Sequence, residues 1–413
     1  MPRGNTLPAP SCCIALISGE ISMRLFLALA ATLALTLPTH AADRAALTAE
    51  IEKIAADYMA SLVEKDHASG ISISVSLPGD PQNINVVAGK VSREADAAEI
   101  TPATLYQIGS ITKSMTAAAL LQLQAEGKLS LEDPLGKWLP QYPAWKDVTL
   151  RHLLNMTSGI PTYDDNDAIT ATLVKVGIGR HFSDAVLVGF ADPTYPGALK
   201  PTKGYDYSNT NFILAGMVIQ KVTGNSVGDE FRSRFLGDRY GLADTHYVEG
   251  VYPADITDRM ASGYFWQSEL PGLKPLMGTD MKVQDMSWAG AAGGLVSSPE
   301  QVTHWARALF QSDMLTEAAR SELMTVVSMK TGDTIGSATK DDPRGFGLGV
   351  MGYDIDPLGQ GWEYEGGTMG YRVVYNYIPK DDVVVSVAMN SAVNGADDQI
   401  GKVVAAISEA ARK

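Results

Sequence analysis

Apolar residues recur with two distinct periods along this chain, one helical and one typical of strands. The helical period comes first, in a segment whose apolar positions are Leu47, Ile51, Ile54, Tyr58 and Leu62. The segment ISISVSL at 71–77 then alternates apolar and polar residues without a break, which predicts a strand with one buried face. A second helical face lies near the C-terminus and comprises Ile400, Val403, Val404 and Ile407.

Further strands are predicted toward both ends of the chain. INVVAG at 84–89 and TLYQIG at 104–109 continue the first predicted sheet. Toward the C-terminus, short β-branched or aromatic runs are punctuated by Gly, Pro and Asp: GFGLGVM at 345–351, YRVVYNYI at 371–378 and VVVSVAMN at 383–390. The tetrapeptide PKDD between the last two runs predicts a hairpin.

The middle of the chain, about 130–295, is predicted to be helical and rich in loops. Strands at both ends around a helical insert predict one sheet completed by distant parts of the chain. The fold class is therefore α+β, with an antiparallel sheet flanked by helices. We assign an α/β part to about 43–129 and 296–413, and a helical part to about 130–295.

Residues 23–41 have the pattern of a secretory signal peptide. Arg24 precedes the apolar stretch LFLALAATLALTL, which is too short to span a bilayer, and PTHA offers small residues for cleavage after Ala41. The alternative is a buried N-terminal helix. Under the first interpretation residues 1–22 are an upstream extension that ends before Met23. The mature region, 43–413, then has no membrane span and is periplasmic or secreted.

The composition excludes several kinds of chemistry. Cys12 and Cys13 are the only cysteines and both precede the predicted cleavage site, so the mature chain has no disulfide, cysteine nucleophile or thiolate metal site. The histidines of the mature chain lack ligand spacing, so neither a metal site nor another cofactor is predicted. A net charge of −14 argues against a nucleic acid partner, because little positive charge is available to neutralise phosphates.

A serine followed three residues later by a lysine occurs in two similar hexapeptides, IGSITK at 108–113 and IGSATK at 335–340. Ser110 follows a predicted strand and opens the apolar segment SITKSMTAAALLQLQAEG, which predicts a buried helix. Ser337 is followed by TKDDPRGFG, which is typical of an exposed loop. Ser110 is therefore the predicted nucleophile.

The first turn of the helix gives this spacing its chemistry. A serine there lies at the positive end of the helix dipole, beside free backbone N–H groups. Lys113, at i+3, lies on the same face of the helix. An amine removed from water favours its neutral form, which can accept the hydroxyl proton. The pair predicts a serine activated for acyl transfer.

Three further segments follow Ser110 in order. They are LRHLLNMTSGIPTY at 150–163, YDYSNTNFILAGMVIQKVTG at 205–224 and AAGGLVSSPEQVTHWARAL at 291–309. With them, the chain from about 70 onward resembles the penicillin-recognising serine hydrolases. The nearest groups are class C β-lactamases, D-alanyl-D-alanine carboxypeptidases, D-aminopeptidases and β-lactamase-like esterases. The shared patterns are Ser-x-x-Lys, Tyr-x-Asn, the TSG turn and a Gly-Gly-Leu-x-Ser turn.

This resemblance implies a β-lactamase-like fold and roles for four residues. Ser110 would be the nucleophile and Lys113 its base. Tyr207 would be a second proton carrier, for the leaving group and for the water that releases the acyl group. Asn209 would hold Lys113 and bind the substrate.

The family's third motif, Lys-Thr-Gly, His-x-Gly or Trp-x-Gly on a strand, has two candidate positions in this chain. KTG at 330–332 is a literal match, but Lys330 leads straight into the loop that holds Ser337. WEYEGGTMGY at 362–371 precedes the last hairpin, as the family motif does, and puts Tyr364 where Lys, His or Trp would be. The second position is favoured.

The segment after Tyr364 is expected to bind the substrate together with it. Gly366 follows, and Gly367 would add its backbone N–H to that of Ser110 in an oxyanion hole. Tyrosine brings no positive charge, so substrates with a carboxylate near the scissile bond lose a partner. Arg372, just beyond, is a candidate to restore that charge.

These observations favour an exported serine hydrolase that forms an acyl-enzyme with a small-molecule or peptide substrate. An ester or a D-amino-acid peptide is favoured over a β-lactam. A class C-like β-lactamase or a D-alanyl-D-alanine carboxypeptidase is the alternative within the family. A non-catalytic penicillin-binding or peptidoglycan-interaction protein is the alternative of another class.

Overall fold

The computed structural model describes residues 43–60, 63–194 and 199–413. The predicted signal peptide, the upstream extension and both cysteines lie outside these residues. The chain divides into two units, 1–49 and 50–413. In the first, residues 43–49 are helical; the second contains all the strands of the described part of the chain. Among the described residues, no helix has both the length and the apolarity needed to cross a membrane.

The secondary structure alternates short helices and strands. The α-helices of the described residues are α1 (43–60), α2 (Val63–Asp66), α3 (Thr112–Ala125), α4 (Leu135–Trp138), α5 (Leu150–Leu154), α6 (Asp167–Val176), α7 (Asp184–Ala191), α8 (Asn209–Thr223), α9 (Val227–Arg234), α10 (Ala254–Thr257), α11 (Gly290–Gly293), α12 (Pro299–Gln311), α13 (Glu317–Met324) and α14 (Ile400–Ala410). The strands are β1 (Gly70–Ser76), β2 (Ile84–Gly89), β3 (Tyr106–Gln107), β4 (His246–Tyr247), β5 (Tyr264–Phe265), β6 (Leu295–Ser297), β7 (Val326–Ser328), β8 (Thr334–Gly336), β9 (Arg344–Phe346), β10 (Met351–Ile355), β11 (Gly359–Gly367), β12 (Arg372–Ile378), β13 (Val383–Met389) and β14 (Ser391–Ala392).

The main sheet joins the two ends of the chain. Its nine strands lie in the order β2-β1-β13-β12-β11-β10-β9-β7-β8, with antiparallel pairing throughout. The N-terminal hairpin therefore pairs directly with the C-terminal one, which confirms the predicted α+β class. The prediction that TLYQIG belongs to this sheet is wrong. Its strand β3 pairs with β6, which also pairs with β4, in a separate small sheet.

Strand β1 is buried on both faces, whereas its alternating pattern predicted one exposed face. The polar face carries Ser72, Ser74 and Ser76, which are 3% exposed or less. Helix α12 covers that face: Arg307 donates from Nε to the Ser76 hydroxyl at 2.6 Å. A serine can be buried without penalty when a neighbouring side chain satisfies its hydroxyl.

Helices α12 and α14 cover opposite faces of the sheet. On β12 the side chains alternate between the two faces. The rings of Tyr375 and Tyr377 lie against Phe310 of α12, at centroid distances of 6.4 and 5.4 Å. Between them, Asn376 donates to the hydroxyl of Ser408 on α14 at 2.9 Å. This arrangement explains the apolar face predicted for the last helix, whose four positions are all buried.

The segment GFGLGVM is two strand ends joined by a turn, and the prediction of one continuous strand is wrong. Strand β9 ends at Phe346 and β10 begins at Met351. Within the turn Gly349 has a φ of +70°, and a Cβ at that position would lie 2.8 Å from the carbonyl oxygen of Lys113. Glycine is therefore required to pack this turn against α3.

Candidate active site

Ser110 lies between a strand and a buried helix, as its context predicted. Strand β3 ends at Gln107, the turn Gly109–Ile111 is a 3₁₀-helix, and α3 begins at Thr112. Gly109 has a φ of +46°, and a Cβ there would lie 2.5 Å from the carbonyl oxygen of Gly367. Ser110 itself is half-buried, so its hydroxyl can be reached by a substrate.

Lys113 is fully buried one turn along from Ser110. Its Nζ donates to Ser110 Oγ at 2.9 Å and to the carbonyl oxygen of Ala292 at 2.8 Å. The rings of Tyr207 and Phe212 lie beside it, at 4.9 and 5.7 Å from Nζ to the ring centres. Both hydrogen-bond partners, among the described residues, are neutral oxygens, and of these two the serine hydroxyl can act as a nucleophile.

Tyr207 approaches the same serine oxygen from the segment before α8. Its hydroxyl donates to Ser110 Oγ at 2.7 Å. The phenol ring stands edge-on to Phe346 at a centroid distance of 6.4 Å, which fixes its plane. Ser110 Oγ therefore contacts two groups that can exchange protons, an amine and a phenol, as the sequence predicted.

Asn209, the first residue of α8, lies farther from this centre than the sequence predicted. Its Nδ2 donates to Asp164 Oδ2 at 2.9 Å, and the expected contact with Lys113 is absent among the described residues. The carbonyl of Ala292 takes that place beside Lys113. A backbone carbonyl leaves no side-chain signal in a sequence, which is why Ala292 was missed. Asn209 does line the cavity into which Ser110 opens.

The second Ser-x-x-Lys copy has none of this geometry. Lys340 pairs with Asp356 at 2.7 Å and with Asp354 at 3.0 Å, rather than with Ser337. The hydrogen bonds that its Nζ donates to these carboxylates raise the pKa of Lys340, so its amine stays charged and cannot act as a base. The exposed loop predicted for Ser337 matches its position.

Lys330 of the literal KTG also faces away from Ser110. Its Nζ donates to the carbonyl oxygen of Asp341 at 2.9 Å, lies 3.5 Å from Asp342, and its side chain is 60% exposed. It does not line the cavity that contains Ser110.

Tyr364 lies on β11, near Tyr207, and is not among the residues that line the cavity. Its side chain is buried, with its ring 5.9 Å from that of Phe346. Its hydroxyl has no hydrogen-bond partner of ordinary geometry in the described structure. Burial, and after it the nearby phenol of Tyr207, raise the pKa of Tyr364 well above its usual range. This buried position therefore does not favour the predicted direct contact between Tyr364 and a substrate.

The glycines after Tyr364 bring β11 against the serine turn. A Cβ on Gly366 would lie 1.8 Å from the carbonyl oxygen of Ile108 and 3.2 Å from the backbone nitrogen of Ser110. Gly367, the next residue, lines the cavity. The backbone of β11 thus lies where an oxyanion hole with Ser110 requires it.

Arg372 is buried on the far side of the sheet and supplies no charge to the cavity. Its Nη1 lies 2.5 Å from Asp398 and its Nη2 lies 3.4 Å from Asp66, and it is 2% exposed. The prediction that Arg372 restores the missing positive charge is therefore wrong. Side chains on β12 alternate between the two faces of the sheet, and the side chain of Arg372 points away from Ser110.

Ser110 opens into a cavity of about 490 Å³. Among the described residues, the charged side chains that line it are all acidic: Asp164, Asp165 and Asp167. Burial, followed by the charges of Asp164 and Asp206, raises the pKa of Asp165. An apolar wall completes the cavity; it includes Ile169, Leu173, Leu273, Trp288 and Met369. Sequence reasoning missed this wall, because its members come from four separate helices and turns.

Comparison with known proteins gives the chain a family. A family model described as Beta-lactamase matches residues 53–409. Penicillin-binding protein 4* of Bacillus subtilis (strain 168) is 26% identical over 273 residues, which cover 66% of this chain and 57% of that protein. Protein flp of Staphylococcus aureus (strain COL) is 27% identical over 250 residues, which cover 59% of this chain and 46% of that protein. The match spans about half the length of these relatives.

Solved structures have the same fold. A D-stereospecific amidohydrolase from Streptomyces sp. superposes with a TM-score of 0.68 at 27% identity, covering 83% of this chain and 94% of that one. A D-amino acid amidase from Ochrobactrum anthropi SV3, complexed with L-phenylalanine amide, superposes with a TM-score of 0.70 at 23% identity, covering 88% and 98%.

Proposed function

Because the chain belongs to the beta-lactamase family of serine hydrolases, we propose that it cleaves an ester or amide bond through an acyl-enzyme on Ser110. The substrates favoured are esters and D-amino-acid amides or peptides, with at most weak activity on β-lactams. The observation that carries the catalytic part is the Ser110 hydroxyl, which lies within 3 Å of both the Lys113 amine and the Tyr207 phenol.

In the proposed reaction Lys113 accepts the proton of Ser110 as Oγ attacks the substrate carbonyl. The backbone N–H groups of Ser110 and Gly367 stabilise the oxyanion, each contributing about 3–4 kcal/mol to the transition state. Tyr207 donates a proton to the leaving group as the acyl-enzyme forms. It then accepts a proton from the water that attacks the acyl group. Lys113 returns its proton to Ser110 Oγ as the acyl group leaves, so that all three groups regain their starting states.

The charge of the cavity supports the choice of substrate. Its charged lining residues, among those described, are carboxylates, with no lysine or arginine. Penicillins and peptides ending in D-Ala carry a carboxylate near the scissile bond, which such a cavity repels. Esters and amino-acid amides lack that carboxylate, and an amide with a free ammonium group is attracted.

The likeness to a D-stereospecific amidohydrolase supports amide hydrolysis in particular. The likeness to penicillin-binding protein 4* leaves a D-alanyl-D-alanine carboxypeptidase, a β-lactamase or a non-catalytic penicillin-binding protein as alternatives. The proposed enzyme is exported, on the pattern of residues 23–41.

A turnover panel tests this function. Purified 43–413 would be assayed with p-nitrophenyl butyrate, D- and L-phenylalanine amide, a D-Ala-D-Ala peptide and nitrocefin, each with wild type and Ser110→Ala. We expect turnover of the ester and the D-amide that disappears in the variant, and little hydrolysis of nitrocefin. Preferred turnover of nitrocefin would establish the β-lactamase alternative. Stoichiometric penicillin labelling without turnover of any substrate would establish the non-catalytic one.

A further inference from the structure

Trp288 is the largest side chain in the apolar wall of the cavity, and its position is unusually well fixed. It ends the 3₁₀-helix Met286–Trp288, whose first turn is capped by the carboxylate of Asp285. Its ring lines the cavity that contains Ser110 and is only partly buried. An aromatic ring exposed in a cavity beside a nucleophile offers a packing surface to a substrate.

A buried pair of glutamines joins this ring to the strand that leads into Ser110. The indole N–H of Trp288 donates to Gln284 Oε1 at 3.1 Å. Gln284 donates in turn to Gln107 Oε1 at 2.8 Å, and Gln107 lies on β3, three residues before the nucleophile. Gln284 is 1% exposed and Gln107 is fully buried. Each buried amide costs free energy unless it is bonded, so the pair holds one arrangement.

A second contact fixes the backbone of the same residue. The phenol of Tyr163, which also lines the cavity, donates to the carbonyl oxygen of Trp288. Tyr163 is fully buried, and burial raises the pKa of its phenol well above the usual range, so it remains a donor. The indole and the backbone of Trp288 are therefore held independently.

We propose that Trp288 determines specificity by packing against a bulky apolar group of the substrate, and that Gln284 is the positioning residue that fixes the ring relative to Ser110. This inference rests on the proposed hydrolysis at Ser110 and adds to it the class of substrate, one that carries an aryl or branched alkyl group. The chemical steps of hydrolysis are the same for small and bulky substrates. The ring therefore affects the ratio of their kcat/KM values and not the chemistry.

The test is the ratio of kcat/KM for p-nitrophenyl phenylacetate to that for p-nitrophenyl acetate. A second ratio compares phenyl acetate with methyl acetate, so that an apolar group on the leaving side is also examined. Trp288→Ala should lower at least one ratio roughly tenfold, within the range expected for apolar contacts in a pocket. Trp288→Phe keeps an aromatic surface and should therefore retain most of the wild-type ratio. Both ratios unchanged in Trp288→Ala would overturn the proposal.

A double-mutant cycle tests the role of Gln284. Gln284→Met should lower the ratio about threefold in wild type and should have no further effect on it in Trp288→Phe, which lacks the indole N–H. Equal changes of the ratio in both backgrounds would contradict positioning through the indole. A merely structural effect would lower both esters alike.

Labelling by fluorophosphonates separates this inference from the proposed function. The rate for a benzyl phosphonate relative to a methyl phosphonate reports the contact with Trp288 without requiring turnover. If wild type turns over neither esters nor amides, the proposed function fails. The inference still stands if benzyl labelling of Ser110 is faster and Trp288→Ala removes the difference, and it fails if the two probes label at equal rates.

Discussion

The amine of Lys113 lies 2.9 Å from the hydroxyl oxygen of Ser110 and is fully buried. Its other hydrogen-bond acceptor is the carbonyl of Ala292. The geometry therefore places beside Ser110 the amine that the proposed mechanism uses as its base.

Lys113 and Tyr207 contact the same oxygen atom, so their substitutions should not act independently. We expect Lys113→Ala and Tyr207→Phe each to lower kcat by about 10²–10⁴, as for a positioned acid or base. The double variant should lose much less than the product, because both groups belong to one proton-transfer unit. Steady-state kinetics with one ester gives kcat for wild type, the two single variants and the double variant. Multiplicative losses would mean that the two groups act in separate steps.

Tyr364 provides a matched control for Tyr207, since both are tyrosines close to Phe346. Tyr364→Phe removes a buried hydroxyl that has no partner of ordinary geometry. We expect the free energy of unfolding to stay unchanged or to rise by about 1 kcal/mol. The kcat should change less than tenfold, in contrast to Tyr207→Phe. Urea unfolding and ester kinetics check both expectations. A loss of kcat equal to that in Tyr207→Phe would give the Tyr364 hydroxyl a direct part in the chemistry.

Gly366 and Gly367 are adjacent but should differ in their tolerance of a methyl group. A Cβ on Gly366 would lie 1.8 Å from the carbonyl oxygen of Ile108, and the nearby atoms are backbone. A Cβ on Gly367 would meet no described atom within 4 Å. Gly366→Ala should therefore lose activity and lower the free energy of unfolding by more than about 2 kcal/mol, through a displaced β11.

The matched variant Gly367→Ala should unfold at the wild-type temperature within about 2 °C, because it changes the free energy of unfolding by less than about 0.5 kcal/mol. Differential scanning calorimetry of both variants decides the point. Equal stability of the two would contradict the close packing of β11 against the serine turn.

Asp184, at the start of α7, should give stability an unusual pH dependence. Burial, followed by the charge of Glu249, raises its pKa to about 6 from 3.8. Between about pH 4 and 6 the folded state then holds a proton that the unfolded state has lost, so stability falls as pH rises through this window. This loss in the free energy of unfolding is complete above pH 6 and is at most about 3 kcal/mol.

Asp184→Asn should remove this fall in stability with pH. In urea titrations, the free energy of unfolding of the variant relative to that of wild type should therefore rise between pH 4 and 6. Asp229→Asn is the control of opposite sign. Hydrogen bonds from Ser226 and Arg232 lower the pKa of Asp229, so its carboxylate stabilises the fold at higher pH and its removal costs stability there. A difference between wild type and Asp184→Asn that does not change with pH would show that the carboxyl is not perturbed.

The sequence predicted the fold class and brought attention to Ser110, Lys113 and Tyr207, which the structure places together, because these depend on local pattern. Period and turn residues mark strands β1, β2, β12 and β13, and the apolar run after Ser110 marks a buried helix. The misassigned elements depended on tertiary contacts. Strand β3 leaves the main sheet to pair with β6, and the exposed face predicted for β1 is covered by α12 through Arg307. No local signal encodes either contact.

The surroundings of the site were less predictable for the same reason. The partner of Lys113 is a backbone carbonyl, and the partner of Asn209 is Asp164, 45 residues earlier in the chain. Arg372 was a candidate cation by its position in sequence, yet strand alternation turns it toward Asp66 and Asp398. Side-chain direction at the end of a strand follows from register, which a single sequence does not determine.

The central claim, an acyl-enzyme on Ser110, is tested most directly by intact-protein mass spectrometry after rapid acid quenching of the reaction with p-nitrophenyl butyrate, followed by peptide mapping. We predict an adduct of one butyryl group on the peptide that contains Ser110, retained in Ser337→Ala and absent in Ser110→Ala. A butyryl adduct that persists in Ser110→Ala, or maps to the peptide containing Ser337, would contradict it.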